Sequence, residues 1–254
     1  KFYEEKSLFR KKIQRLNLAD EIIIPSAGLG QRFVNENIKI PKFLCKAGIE
    51  RKKMINLIRD YLPNKKKIQL VTLNKNPSFL KKNFIIHSLN QKTKGQADTV
   101  MYALNKIEEN KSIYVNSCDT FSLFDVNLYN FLKKKSDILV FVSKNTETDS
   151  NSNEGSWIVS KNNKVQSINV KTPKTIGALR VTGNFFFKNK SIFIKCFKKI
   201  IEHGTKKEIL IDNLVREGVK MKLKVYCIID NVYVNMGTPK LLKEFNFWED
   251  YFNV

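Results

Sequence analysis

The sequence predicts an α/β domain: a mixed, mostly parallel sheet with helices on both faces. Three observations carry that prediction. Short apolar runs alternate with amphipathic segments from residue 21 to residue 143, the rhythm of strands joined by crossover helices. The first run opens into a glycine-rich turn, EIIIPSAGLGQRF, and open α/β sheets bind ligands outside the carboxyl ends of their strands. The chain has 254 residues, 42% of them hydrophobic, enough for one sizeable core.

The elements follow in order. Residues 1–20 are charged with scattered apolar positions; they read as a helix or linker ahead of the main domain, 21–254, leading in from an upstream partner domain. Residues 21–24 form a short apolar strand. Met54, Leu57, Ile58 and Tyr61 recur at helical spacing and predict an amphipathic helix over 53–62. Strands are expected over 68–73, 84–87, 112–116 and 138–143, with helices over 98–107 and 126–135. The polar stretch 145–155 is a loop. The rhythm then changes, with strands over 156–160, 164–168 and 181–188 on short connections. Helices over 191–203 and 207–218, an alternating strand over 220–229 and an amphipathic helix over 238–252 complete the chain.

Composition narrows the function. No apolar stretch approaches the roughly 20 residues that span a bilayer, and no signal-peptide pattern is present. The four cysteines are widely spaced, which argues for reduced thiols and a cytoplasmic setting over a disulfide framework or zinc site. Two histidines exclude a histidine-rich metal centre. The net charge of +22 suggests an anionic partner, but the lysines are spread along the chain. A nucleic-acid footprint is clustered, so no nucleic acid is expected.

The turn after the first strand offers backbone N–H groups to an anion, with Arg32 and Lys42 to neutralise it. It lacks the third glycine of the dinucleotide loop, because Phe33 stands there, and it lacks the Walker pattern. A plain tight turn with solvated cations is the alternative on these residues alone.

Six segments, in order, go further. AGLGQRF with PKFL resembles the AGxGxRL and PKxL signature of the sugar-phosphate nucleotidyltransferases. KGQADTVMYAL, IYVNSCDTF, EGSWIVSKNNKVQSINVKTP, VTGNFFF and VYVNMGTPKLL are each similar to that family's later segments. The resemblance covers residues 21–245 and implies a Rossmann-like nucleotidyltransferase fold. It also implies an activity: an NTP and a phosphorylated small-molecule acceptor give a nucleotide-diphosphate product and pyrophosphate, with Mg²⁺. A role in bacterial surface polysaccharide synthesis comes with it by analogy.

The resemblance implies roles for single residues. Ala27, Gly28, Leu29 and Gly30 would cradle the triphosphate. Arg32 would face the departing pyrophosphate, and Lys42 would bridge the α-phosphate and the acceptor's phosphate. Asp119 and Asn235 would hold the metal. Gln91, Gly95 and Gln96 would lie against the base. Gly155, Lys171 and Asn184 would receive the acceptor, with Lys171 on its phosphate. The plain alternatives are surface lysines, a turn aspartate and a loop glycine.

Three departures stand out. Asn235 occupies the place of the family's second metal-binding aspartate; an amide oxygen ligates Mg²⁺ without charge. Val170 replaces a glutamate and Ser160 an aspartate, both on the acceptor side. The acceptor is therefore expected to be unusual: a sugar phosphate, or a phosphate outside the hexose 1-phosphates. A non-catalytic nucleotide-sensing or scaffold domain on the same fold is the competing reading. The base and the oligomeric state are left open.

Overall fold

The computed structural model describes residues 9, 11–63, 68–73, 80–144, 155–173, 176–204 and 208–252. The expected loop over 145–155, except Gly155, and residues 1–8 and 10 of the lead segment lie outside the described residues.

The first half holds β1 (Glu21–Ser26), α1 (Gln31–Val34), β2 (Lys46–Ala47), β3 (Lys52–Lys53), α2 (Met54–Arg59), β4 (Ile68–Leu73), β5 (Phe84–Leu89), α3 (Gln96–Leu104), β6 (Ile113–Asn116), β7 (Thr120–Leu123), α4 (Val126–Lys135) and β8 (Ile138–Ser143). The second holds β9 (Gly155–Lys161), β10 (Lys164–Thr172), β11 (Leu179–Phe187), α5 (Lys190–Glu202), α6 (Ile211–Lys220), β12 (Val225–Ile229), β13 (Val232–Asn235) and α7 (Pro239–Tyr251).

Nine strands form one sheet in the order β5-β4-β1-β6-β11-β8-β12-β10-β9. The sheet is mixed. β5, β4, β1 and β6 run parallel, as do β8 and β12. β11 is antiparallel to both β6 and β8, and β10 is antiparallel to β9 and β12. The mostly parallel arrangement expected from the alternation thus describes the first half. The reason lies in the connections. Asn162 and Asn163 take φ of 50° and 62° between β9 and β10, the backbone of a two-residue hairpin that forces antiparallel pairing.

Helices cover both faces. Ile22 and Ile24 of β1 join one core with Met54 and Leu57 of α2, Tyr129 of α4 and Leu242 of α7. Ile23, pointing the other way, joins a second core with Val100 of α3, Phe193 of α5 and Leu214 of α6. The described part of 1–20 packs on the first core: Phe9, Ile13, Leu16 and Leu18 are buried there. Tyr129 Oη donates to the Leu18 carbonyl at 2.5 Å, fastening the described part of this segment to α4.

Two boundaries moved for an identifiable reason. The helix expected over 207–218 starts at Ile211, because the residues before it run against the loop ahead of α3. Ile209 N donates to the Lys94 carbonyl at 2.7 Å, and Ala97 N to the Ile209 carbonyl at 3.0 Å. The helix then runs to Lys220, so the strand expected over 220–229 begins only at Val225.

Candidate active site

β1 ends at Ser26, and the chain turns over its carboxyl end through Ala27–Gly30. Gly30 has φ of 62°, a left-handed conformation that costs a residue with a Cβ free energy. Phe33, 1% exposed, anchors the turn from below, and its N–H donates to the Gly30 carbonyl at 2.7 Å. Gly28 and Leu29 stay exposed. The turn lines a cavity of about 1190 Å³ together with Arg32, Lys42, Gly95 and Gln96. That volume suits a nucleotide-sized ligand.

Gly95 has a packing reason as well. Its φ is 133°, and a Cβ there would meet the Ile209 carbonyl oxygen at 2.6 Å. The glycine admits the 208–210 segment, whose Glu208 and Leu210 complete the cavity wall.

Asp119 stands in the turn between β6 and β7. Lys42 Nζ donates to its Oδ2 at 2.6 Å, and Ser117 Oγ donates to its Oδ1 at 2.5 Å. The two charged side chains keep only 22% and 14% of their surface exposed. Burial pulls the Lys42 ammonium toward neutrality, but the Asp119 charge, the neighbouring Cys118 and the hydrogen bond to Asp119 together outweigh it and hold the lysine above its ordinary range. Burial likewise pushes the Asp119 carboxyl up, while the Lys42 charge and the hydrogen bonds from Lys42 and Ser117 bring it to a net value below the ordinary one. Both groups are charged at neutral pH.

Asn235 is brought alongside. β7 and β13 pair antiparallel with Asn235 opposite Thr120, and Met236 N donates to the Asp119 carbonyl at 2.8 Å. A Cβ placed on Gly237 would lie 2.8 Å from Asp119 Oδ2 and 2.9 Å from Asn235 Oδ1. Two hard oxygens therefore flank a position that carries no side chain. That donor set fits Mg²⁺, which takes one or two protein oxygens and completes its shell with water and substrate phosphate. No group of three or more His, Cys, Asp or Glu side chains is placed to hold a metal among the described residues.

A smaller cavity of about 290 Å³ adjoins the first, and Arg32, Gln96 and Ser117 line both. Its wall holds Asp119, Asn235 and Gly155, and adds Ser156, Arg180 and Asp212, which the sequence did not single out. Ser156 Oγ donates to Asp212 Oδ2 at 2.9 Å. Burial raises the Asp212 carboxyl to about 6, against the Ser156 hydrogen bond and the Lys171 charge.

Three expected site residues stand elsewhere. Gln91 is exposed and outside both cavity walls. Asn184 is 1% exposed and points beneath the cleft, where its Nδ2 donates to Ser122 Oγ at 3.2 Å. Lys171 pairs with Glu208 at 2.7 Å and faces a separate cavity of about 940 Å³. A bulge in the β9–β10 ladder, with Lys171 at φ of 49°, turns it that way.

The cleft, with its glycine turn, lies over the carboxyl ends of the interior parallel strands β1 and β6 of this α/β protein. Solved structures define the fold more closely. The chain is similar to a nucleoside-diphosphate-sugar pyrophosphorylase from Vibrio cholerae RC9, at 20% identity over 88% of this chain and 98% of that one, with a TM-score of 0.71. It is similar to the inositol-1-phosphate CTP transferase of T. maritima, at 15% identity over 89% and 93% of the two chains, with a TM-score of 0.66. It is also similar to an apo UDP-glucose pyrophosphorylase, at 16% identity over 92% and 99%, with a TM-score of 0.68. No protein-family model and no curated protein matches the sequence. The chain has the nucleotidyltransferase fold that these structures share.

Proposed function

We propose that the chain is a nucleotidyltransferase that joins an NTP to a phosphorylated acceptor and releases pyrophosphate. One observation carries this reading: the glycine turn, the Lys42–Asp119 pair and Asn235 converge on one cleft that has a large and a small compartment. The large compartment would take the nucleotide and the small one the acceptor.

The acceptor's phosphate oxygen is already ionised at neutral pH, so it attacks the α-phosphorus without a general base. The bond from the α-phosphorus to the bridging oxygen breaks, and pyrophosphate leaves with the electron pair. Catalysis is then positioning and charge stabilisation. The Gly28–Gly30 backbone holds the triphosphate. Lys42, kept charged by Asp119, faces the α-phosphate. Arg32 lines both compartments and stands between the leaving and arriving phosphates. Bound Mg²⁺, held by Asp119 and Asn235, would supply positive charge to the phosphate oxygens.

The resemblance alone assigns Lys171 to the acceptor's phosphate, since its side chain faces the neighbouring cavity and not the small compartment. Its pair with Glu208 leaves both side chains 53% exposed, and such a pair is worth only about 0.2–1 kcal/mol. A dianionic phosphate displaces it. Val170 offers no hydrogen bond where the family has a glutamate, so the acceptor need not be a hexose 1-phosphate. Wide cysteine spacing supports a cytoplasmic setting, and the resemblance alone supports a place in surface polysaccharide synthesis.

The test combines CTP, UTP, dTTP, GTP and ATP with hexose, heptose and non-sugar phosphates, and reads pyrophosphate release. One pair is expected to turn over, with Asp119→Ala and Lys42→Ala each losing about a hundredfold or more. Nucleotides that raise the melting temperature without any release would instead favour the sensing domain.

A further inference from the structure

The two candidate metal oxygens stand on a ribbon of their own. β7 and β13 pair with each other and not with the nine-stranded sheet; Asn116 of β6 holds the start of the ribbon through the Thr120 carbonyl at 3.1 Å, and the Asn235 end depends on the ribbon's own anchorage. Asp119 immediately precedes β7, and Asn235 closes β13.

A buried polar cluster ties the middle of this ribbon to the sheet. Ser122, opposite Tyr233 on the ribbon, donates its hydroxyl proton to Asp230 Oδ2 at 2.6 Å. The same hydroxyl oxygen accepts from Asn184 Nδ2 at 3.2 Å. Asp230 follows β12, and its N–H donates to the Val142 carbonyl of β8 at 2.8 Å. Asn184 belongs to β11, opposite Asn116 of β6. The three side chains are 5%, 7% and 1% exposed, so water does not stand in for a missing partner.

A further buried hydroxyl, that of Thr182, faces Asp230. Asp230 Oδ1 and Asn184 Oδ1 are both buried without a hydrogen bond. Each is an acceptor if Asp230 is ionised, whereas a protonated Asp230 has a donor to offer. Burial pushes that carboxyl well above its ordinary range, which supplies the proton.

We infer that Asp230, Ser122 and Asn184 are positioning residues for the metal site: a buried, hydrogen-bonded tie that sets the spacing of Asp119 and Asn235. The inference rests on the nucleotidyltransferase reading in one respect, that these two oxygens hold a divalent cation. It gives Asn184 a role beneath the cleft in place of contact with the acceptor.

The test uses Mn²⁺ alone as the probe, counted by loss of the free-ion paramagnetic resonance signal. Wild type is expected to bind at a site that Asp119→Ala removes. Asp230→Ala should weaken that binding about tenfold or more, the usual cost of losing an outer partner of a metal site. Asp230→Asn is neutral, has the same shape and carries a donor, so it should restore wild-type binding. Melting curves run alongside. A folded Asp230→Ala that binds Mn²⁺ like wild type overturns the positioning role, and an Asp230→Asn as damaged as Asp230→Ala overturns the hydrogen-bonded tie. If Asp230→Ala does not fold, Ser122→Ala and Asn184→Ala are judged by the same criterion. A wild type with no Asp119-dependent binding overturns the metal assignment, and this inference falls with it; pyrophosphate release in the substrate panel then decides the enzyme reading separately.

Discussion

Gly237 separates Asp119 from Asn235 by having no side chain. A methyl group there would sit 2.8 Å and 2.9 Å from the two oxygens, inside normal contact distance for a carbon. Gly237→Ala is therefore expected to lose most Mg²⁺-activated pyrophosphate release while the protein stays folded. Mg²⁺ titration of pyrophosphate release and a melting curve check both halves. Asp212 gives a prediction with a pH signature. Burial raises its carboxyl from 3.8 to about 6, so the fold prefers its protonated form. That preference is fully expressed below the unfolded value and is lost as pH climbs through about 6. Asp212→Asn should melt with wild type near the unfolded value and above it at pH 8, and a difference that does not change with pH would contradict the assignment. The residues on continuous motifs were legible in the sequence. Gly30, Lys42 and Asp119 follow the apolar runs that present them. Arg180, Ser156 and Asp212 were not, because they meet only once β9, β11 and the start of α6 converge around the smaller cavity. Asn184 shows the opposite case: its neighbours suggest a cleft residue, but strand alternation turns its side chain inward, away from both cavity walls.

Among the elements, long periodic segments were readable and short long-range ribbons were not. The strands Ile68–Leu73 and Ile138–Ser143 and the helix Val126–Lys135 carry continuous apolar or amphipathic patterns, and the structure gives them the bounds expected. β7 and β13 have four residues each and pair across more than a hundred positions, so nothing local announces them. Yet this ribbon carries both candidate metal oxygens. The helix α4 is set by a local signal: Asp125 Oδ1 accepts from Asn127 N at 2.8 Å and Leu128 N at 3.1 Å. Asp125→Ala should cost about 1 kcal/mol in denaturant unfolding, as loss of an N-cap does. α4 lies away from both cavities, so nucleotide-induced stabilisation should be unchanged in that variant.

For the whole molecule, the sheet divides the work. The parallel half, β5-β4-β1-β6, presents the glycine turn and the Asp119 turn at its carboxyl ends. The antiparallel strands β11 and β9 build much of the wall of the smaller compartment. The alternation of apolar runs made the first half legible. The second half depends on a hairpin at Asn162–Asn163 and on pairings that reorder strands far apart in sequence, which explains why the acceptor side was read least well. It is also where the chain departs from the family it resembles, so the nucleotide chemistry and the acceptor identity are separable questions. The most direct measurement of the central claim follows phosphorus-31 resonances with Mg²⁺, the NTP and the acceptor that turn over together. Transfer to the α-phosphorus predicts the growth of a diphosphodiester signal and of free pyrophosphate in equal amounts. Growth of a nucleoside diphosphate with a newly phosphorylated acceptor, and no pyrophosphate, would contradict it.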